Sequence, residues 1–239
     1  MNTGPQNNKR VLYTTAFTSL SQSAFGSLLL QSAKHTPQSI LILVASTTIK
    51  YFLQEQIQSF NPDDSSLPEI LTLDELIMIT HQDILLSKPG VYPLIVNRVL
   101  NQETTTQSVF DYLPHTDGFQ KQFLGFYQDC QRFGLNQHTY KSGMPRDRAE
   151  TILSLTSTFE KQKKELNQLD IKDLYKQAHQ SNYSPILNYI RNRSLFFYGF
   201  WDVPTFQKPM LSKLLTQPVP ISFHLRSEEH TSELQSPDH

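Results

Sequence analysis

The sequence predicts an α/β protein whose parallel sheet is interrupted by a helical subdomain, and three observations support this prediction. Short apolar runs and amphipathic helices alternate over residues 1–93 in the order β-α-β-α-β-α, which is typical of parallel strands joined by right-handed crossovers. Helical periodicity then replaces the strand pattern over residues 94–192. Strand character returns over residues 193–225, so we expect the chain to leave the sheet and re-enter it.

The first part of the chain contains three strand-helix pairs. Residues 11–15 are β-branched and apolar, which predicts a strand, and an amphipathic pattern follows them. Residues 39–45 read SILILVA, a continuous apolar run that is typical of a strand covered on both faces. Residues 69–72 predict a third strand, and Thr72 and Glu75 have the spacing of a capping box at the start of the next helix.

The later residues form a helical block and then return to the sheet. Apolar and aromatic side chains at helical spacing predict a set of helices in this block. Residues 194–200 (SLFFYGF) and 219–223 (VPISF) have strand character, and one more helix is predicted between them. The predicted domains are therefore 1–93 and 193–225, which share the sheet, and 94–192, which is the helical insertion.

Composition and charge exclude several classes of protein. Of the 239 residues, 38% are hydrophobic, which is enough to bury a core in one or two domains. The formal net charge of −1 provides no overall attraction to nucleic acid or to an anionic membrane, so such binding needs a local patch. Cys130 is the single cysteine, which excludes an internal disulfide and a cysteine-based zinc cluster.

No targeting or membrane-spanning segment is predicted. Residues 1–10 are polar and turn-rich, unlike a signal peptide. The most apolar run, residues 40–45, is far shorter than the roughly 20 residues that span a bilayer. We therefore expect a cytoplasmic protein with no membrane partner.

The last residues differ in character from the rest of the chain. Residues 226–236 read RSEEHTSELQS, lack apolar periodicity and follow abruptly on a strand pattern. They match, codon for codon, the translation of a common short-read sequencing adapter. We expect residues 226–239 to be an artefactual tail that contributes neither to the fold nor to a metal site, and the natural C-terminus to lie elsewhere.

Several segments carry a resemblance to a known family. They are ILILVAS at 40–46, ILTLDEL at 70–76, DIKDLYKQA at 170–178, and FFYGF at 196–200 followed by a Leu-x-x-Leu helix within 206–215. Together they resemble the N-terminal, helicase-like region of AddB-like and RecB-like helicase-exonucleases, which are PD-(D/E)XK nuclease family proteins. The likeness covers about residues 1–225, and it requires the strands at Val11, Ile40 and Phe196 to lie side by side in one sheet.

The resemblance places an ATP site where this sequence lacks the necessary residues. A motor ATPase needs a Gly-rich loop that cradles phosphates, a Lys on the β- and γ-phosphates, and acidic residues for Mg²⁺. The segment after the first strand contains neither Gly nor Lys, so we predict no ATP hydrolysis. The hydroxyl residues of this degenerate phosphate loop are Thr14, Thr15, Thr18 and Ser19. After the fourth strand Asp202 is a lone acid, and we favour a turn-capping role for it over metal binding.

The resemblance implies both a fold and a function. The implied fold is a RecA-like, P-loop NTPase-like domain interrupted by a helical insertion. The implied function is that of the N-terminal, ATPase-inactive part of a subunit that acts in DNA double-strand-break repair and recombination. The implied partners are DNA and a motor subunit. The parent protein would be an exonuclease, a hydrolase with Mg²⁺ at a nuclease motif downstream of this sequence. In this chain itself we expect no catalytic residue, cofactor or metal.

Two other classes of function compete with this interpretation. A non-catalytic α/β protein-interaction module with no nucleic-acid role fits the same element order. A small-molecule enzyme with a doubly wound sheet would need a Gly-rich turn after a strand, and none follows Thr15, Ser46 or Thr72.

Basic residues in two regions are candidates for contacts with DNA phosphates. They are Arg146, Arg148, Lys161, Lys163, Lys164, Arg191 and Arg193. Glu160 and Glu165 interleave with the lysines, so we favour a solvated helix face for that stretch, and surface or hinge roles for the last two arginines.

Aromatic residues and histidines offer further candidates. Phe119, Phe123, Phe126, Tyr127 and Phe133 could stack on bases, but their helical spacing favours a core role. Tyr198 and Trp201 flank an apolar strand and are expected to be packing residues. His81, His115, His138 and His179 are scattered along the chain, without the spacing of a zinc site.

Overall fold

The computed structural model describes residues 10–15, 23–35, 37–60, 67–88, 90–103, 117–134 and 146–226. The strands in these ranges are β1 (Arg10–Thr15), β2 (Ile40–Val44), β3 (Glu69–Thr72), β4 (Ser194–Tyr198) and β5 (Ile221–Arg226). The helices are α1 (Ala24–His35), α2 (Thr47–Phe60), α3 (Leu73–Thr80), α4 (Val91–Glu103), α5 (Asp117–Phe133), α6 (Arg146–Glu165), α7 (Ile171–Gln180), α8 (Ser184–Ile190) and α9 (Lys208–Leu215).

The five strands form one parallel sheet in the order β1-β5-β4-β2-β3. Phe196 of β4 pairs with Ile42 of β2 and with Ser222 of β5, while Val11 of β1 also pairs with Ser222. The strands at Val11, Ile40 and Phe196 therefore lie in one sheet, with β2 and β4 side by side. The expectation that all three lie side by side is wrong for β1, because β5 separates it from β4. The α/β class and the parallel sheet predicted from the sequence are confirmed.

Strand β2 is buried on both faces, as its continuous apolar sequence predicts. Ile40, Ile42 and Val44 point to one face, where they pack with residues of α1, α2 and β4. Leu41 and Leu43 point to the other face and are also fully buried. The helix-covered first face contains Phe25, Leu29, Leu53, Ile57, Ile70 and Phe196.

The chain divides into two compact units, and both differ at their boundaries from the predicted domains. The sheet unit comprises residues 1–76, 185–203 and 213–239, and the helical unit comprises residues 77–184 and 204–212. The excursion from the sheet thus begins earlier than the predicted residue 94, and the segment 204–212 rejoins the helical unit. Strand β5 runs on to Arg226, whose partner is Thr15, so the strand includes the first residue of the predicted tail.

The helical unit has its own core, built from α4, α5 and α6. Phe159 lies at its centre and is fully buried. The rings of Tyr92, Phe123 and Tyr127 meet Phe159 edge-on, at centroid distances of 6.1, 5.7 and 4.8 Å. Edge-to-face aromatic pairs stabilise a core beyond the effect of burial alone. The remaining buried members are Ile95, Val96, Val99, Leu100 and Leu155.

Candidate functional site

The topology of the sheet defines where a ligand site is expected. The chain continues from β2 to β3 in one direction along the sheet, and from β4 to β5 in the other. Neighbouring parallel strands whose connections leave in opposite directions form a topological switch point, where α/β proteins bind their ligands. In this sheet the switch point lies between the carboxyl ends of β2 and β4, which makes this edge the candidate site.

A side chain that follows β2 packs against the turn that follows β4. Ser46 caps α2 by accepting a hydrogen bond from the Ile49 N–H at 3.3 Å. The Ile49 side chain packs on Gly199, which has a φ of +79°. A Cβ at Gly199 would lie 2.6 Å from Ile49 Cδ1 and 3.2 Å from Trp201 Cζ3. The absence of a side chain at Gly199 therefore allows α2 and the β4 turn to approach each other closely.

The change of Gly199 to alanine tests this close approach. We expect Gly199→Ala to lower the free energy of unfolding by about 1 to 2 kcal/mol, because a left-handed backbone is unfavourable for an L-residue and Ile49 must move. Gly125→Ala is the matched control: Gly125 lies inside α5, and a Cβ there meets nothing within 4 Å. That substitution should stabilise the protein by about 0.5 to 1 kcal/mol. Denaturant titrations that give both variants the same sign would contradict the assignment.

An ion pair occupies the same edge of the sheet. Lys50 Nζ lies 2.7 Å from Glu75 Oε1. Glu75 also accepts a hydrogen bond from the Thr72 N–H at 2.8 Å, while its own N–H donates to Thr72 Oγ1 at 3.1 Å, so the predicted capping box is confirmed. Burial opposes ionisation of Glu75, but the hydrogen bonds from Lys50 and Thr72 outweigh it and lower the pKa of this carboxyl. Lys50 is thereby held by a carboxylate.

The residues after β4 differ from their predicted roles. Phe200 is buried, whereas the Trp201 side chain is 63% exposed, so the prediction that Trp201 is a packing residue is wrong. Asp202 is exposed as well. Tyr198 does pack: its ring stacks on His224 of β5 at a centroid distance of 4.7 Å.

His224 is a buried polar residue that the sequence analysis did not identify. It is 8% exposed, and its ring also lies 5.1 Å from that of Phe25. Burial lowers the pKa of His224, so the neutral imidazole is favoured. The stack could not be predicted from the sequence, because its other rings, Phe25 and Tyr198, come from distant parts of the chain.

The degenerate phosphate loop lies largely outside the described residues. The backbones of Thr14 and Thr15 end β1, while Thr18 and Ser19 fall within the undescribed range 16–22. The role predicted for these four residues therefore stays a prediction.

Among the basic candidates in the helical unit, exposure varies sharply within one turn of α6. The Lys161 side chain is 75% exposed and lies 4.0 Å from Glu165, and Lys164 is exposed too. Lys163, in contrast, is 1% exposed. The interpretation of a solvated face is therefore wrong for Lys163, which is not accessible to DNA phosphates. Arg146 and Arg148 lie in the first turn of α6, and the structure describes their backbone but not their side chains.

Lys163 is at the centre of a buried charged cluster that joins α5, α6 and α7. Its Nζ lies 2.6 Å from Asp170 Oδ2, 2.9 Å from Asp173 Oδ2 and 3.4 Å from Glu160 Oε2. It also donates to the Tyr127 hydroxyl at 3.3 Å, and that hydroxyl donates to Glu160 Oε1 at 2.5 Å. Asp170 and Asp173 form the capping box of α7 as well. Each polar group thus has a partner of complementary charge or hydrogen-bonding capacity.

The protonation states follow from these contacts. Burial opposes ionisation of Asp173, but hydrogen bonds from Lys163 and from the Asp170 backbone outweigh it and lower its pKa to about 2. Burial alone would lower the pKa of Lys163, whereas its bonds to Asp170 and Asp173 raise it above the ordinary value. Burial and the neighbouring Glu160 carboxylate raise the pKa of Tyr127. Lys163 and Asp173 are therefore ionised at neutral pH, as is Glu160, whose pKa is also lowered, and Tyr127 is a neutral donor.

The two arginine candidates belong to the sheet unit. Arg191 is exposed. The Arg193 guanidinium forms an ion pair with Glu69 and lies over the Tyr189 ring, 4.5 Å from its centroid. Tyr189 also donates to Glu69, at 2.6 Å. Arg193 is thus held on the edge strand β3, and Arg191 is the more accessible of the pair.

The predicted aromatic core of the helical block is largely confirmed. Phe123 and Tyr127 are buried, and Phe119 packs partly buried against the same cluster. Phe126 is partly buried. Phe133 is 56% exposed, so the core role predicted for it is wrong.

These features define the class of protein: an α/β protein with an all-parallel, five-stranded sheet and a helical unit inserted between β3 and β4 in the sequence. The sequence matches no protein-family model and no curated protein. Within the described ranges, no three His, Cys, Asp or Glu side chains are arranged to hold a metal ion. Over the same ranges, every helix is too short or too polar to cross a bilayer.

Proposed function

We propose that this chain is the ATPase-inactive, helicase-like front part of a subunit that repairs DNA double-strand breaks, where it serves as a DNA-binding scaffold beside a motor subunit. The observation that carries the proposal is the path of the chain. It leaves a parallel sheet after β3, builds the helical unit, and returns to the same sheet at β4. A RecA-like domain with a helical insertion, as the resemblance implies, has this organisation.

The positions of β1 and β4 also support the proposal. The resemblance places the phosphate loop after β1 and the acidic residues after β4. Both strands belong to one parallel sheet and are separated by β5 alone, so their carboxyl ends lie about 10 Å apart at the same edge. A phosphate loop after β1 and acidic residues after β4 would therefore lie at one edge of the sheet, as descent from an ATP site requires.

The residues at that edge support the loss of ATP hydrolysis. At the neighbouring switch point between β2 and β4, Ile49 packs against Gly199, and Lys50 is paired with Glu75. The segment after β1 lacks Gly and Lys, so it supplies neither the close backbone approach nor the positive charge that phosphates require.

Two measurements on the purified full chain test the proposal. We expect no ATP turnover above the buffer rate with Mg²⁺, and we expect binding to a blunt or forked DNA duplex that weakens as salt is raised. Fluorescence anisotropy over a salt series gives the affinity and its slope. ATP hydrolysis would overturn the inactive state. A lack of DNA binding at low salt would overturn the scaffold role and favour the protein-interaction module.

A further inference from the structure

At the corner between α6 and α7, three carboxylates point inward to the buried Lys163, while other lysines are exposed to solvent. Glu160, Asp170 and Asp173 have side chains that are 23%, 14% and 12% exposed, and all three contact the buried Lys163. These three carboxylates are thus largely withdrawn from the surface, whereas the side chain of Glu165, which also interleaves with the lysines, is 48% exposed. The surface of this corner is therefore more basic than its sequence suggests.

Two of the three lysines around this cluster, Lys164 and Lys176, are exposed. Lys164 is exposed and follows Glu160 by one helical turn on α6. Lys172 and Lys176 are one turn apart on α7 and so share a face of that helix. The Lys176 side chain is 51% exposed and shares Asp173 with Lys163, at 3.2 Å. Lys172 is half-buried.

All three lysines border the charged cluster. Lys172 directly precedes Asp173 in α7, and Lys176 pairs with Asp173 at 3.2 Å. Lys164 lies four residues after Glu160 on α6, and both Lys172 and Lys176 are close enough to lower the pKa of the Glu160 carboxyl further, after the larger effects of burial, Tyr127 and Lys163. Burial and the neighbouring Lys176 also lower the pKa of Lys172. With Lys161 and Lys163, the corner carries five ammonium groups against the four carboxylates of Glu160, Glu165, Asp170 and Asp173, a surplus of one positive charge.

We propose that Lys164, Lys172 and Lys176 form the surface through which the helical unit contacts DNA phosphates. Here we call it the lysine face. This inference rests on the proposed DNA-binding function and assigns it to a particular surface. Lys163 takes an indirect part, because it holds Glu160, Asp170 and Asp173 inward and reduces their repulsion of a phosphate. Lys161 lies beside the lysine face and pairs with Glu165.

A charge-matched pair of triple variants of the full chain tests the lysine face. Replacement of its three lysines by glutamine should weaken binding to a blunt duplex roughly tenfold or more at low salt, and should reduce the slope of log affinity against log salt by about 2 to 3. The control replaces Lys121, Lys208 and Lys213, which removes the same charge elsewhere. The corresponding arginine variant of the lysine face should retain binding. Far-UV circular dichroism checks that each variant is folded.

The outcomes separate the lysine face from the proposed function. Equal weakening by both triple variants, or none by either, would overturn the lysine face while DNA binding itself stands. A wild-type chain that fails to bind the duplex at low salt would overturn the proposed function and the lysine face together. Loss of binding in the arginine variant would also overturn the assignment, because phosphate contacts require charge rather than a particular lysine shape.

Discussion

Replacement of Lys163 by methionine is expected to lower the free energy of unfolding by about 3 to 5 kcal/mol. The methionine side chain fits a similar volume but removes the positive charge from the centre of the cluster. In the wild type, Lys163 Nζ lies 2.6 to 3.4 Å from the carboxylates of Glu160, Asp170 and Asp173. In the variant these carboxylates would face one another in a largely buried space without that countercharge. Denaturant titration followed by far-UV circular dichroism measures the change.

Lys161→Met is the matched control for this prediction. The two lysines lie on the same helix, but the Lys161 side chain is 75% exposed and its ion pair with Glu165 spans 4.0 Å. A surface pair of this kind contributes little, so the control should change stability by no more than about 0.5 kcal/mol. Similar losses in the two variants would show that Lys163 is not buried among carboxylates.

The stability that Lys163 and Asp173 contribute depends on pH in a direction that follows from their pKa shifts. The folded pKa of Asp173 is lowered to about 2, so its contribution to stability is present above the ordinary aspartate value of about 3.9 and is lost as the pH falls towards 2. The folded pKa of Lys163 is raised, so its contribution is present below the ordinary lysine value of about 10.4 and is lost at higher pH. The difference between wild type and Lys163→Met should therefore shrink as the pH falls from about 4 towards 2.

The burial of Lys163 could have been inferred from one feature of the sequence. Leu155, Phe159 and Lys163 follow one another at intervals of four residues, so the lysine continues an apolar stripe of α6. Periodicity alone places Lys163 on the buried face, but an isolated lysine there is too costly without partners. Those partners, Asp170 and Asp173, come from the next helix, and the contact between two helices is not encoded in the periodicity of either.

The strands were predictable because each is a short apolar run with clear ends. The run at Ile40–Val44 and the run at Glu69–Thr72 are strands at nearly the predicted positions. Their lateral order was not predictable, because the apolar pattern of a strand specifies which faces are buried and not which strand lies beside it. The insertion of β5 between β1 and β4 is a property of the assembled sheet.

The errors at single residues have a common physical origin. The sequence predicts packing roles for Trp201 and Phe133, yet Trp201 lies three residues beyond the end of β4 and Phe133 is the last residue of α5, and both are exposed. The end of an element exposes side chains that the same spacing would bury in its middle. Sequence periodicity identifies the buried face of a helix or strand better than it identifies the last buried residue.

Phe123→Ala is expected to cost about 3 to 5 kcal/mol of unfolding free energy, the second large effect in this protein. Phe123 is 7% exposed and meets the Phe159 ring edge-on at 5.7 Å, so truncation leaves a cavity in the core of the helical unit. Phe133→Ala, on the same helix, should change stability by no more than about 0.5 kcal/mol, because that ring is 56% exposed. Denaturant titration compares the two, and hydrogen exchange should locate the loss in α4, α5 and α6.

The same pair of variants also tests the functional alternative for these aromatics. Base stacking requires a ring face that a nucleotide can reach, which Phe123 does not offer because it is enclosed by the core around Phe159. DNA affinity of folded Phe123→Ala should therefore equal that of wild type once the unfolded fraction is taken into account. A large loss of affinity without a loss of stability would contradict the core role of Phe123 and would place the nucleic acid inside the helical unit.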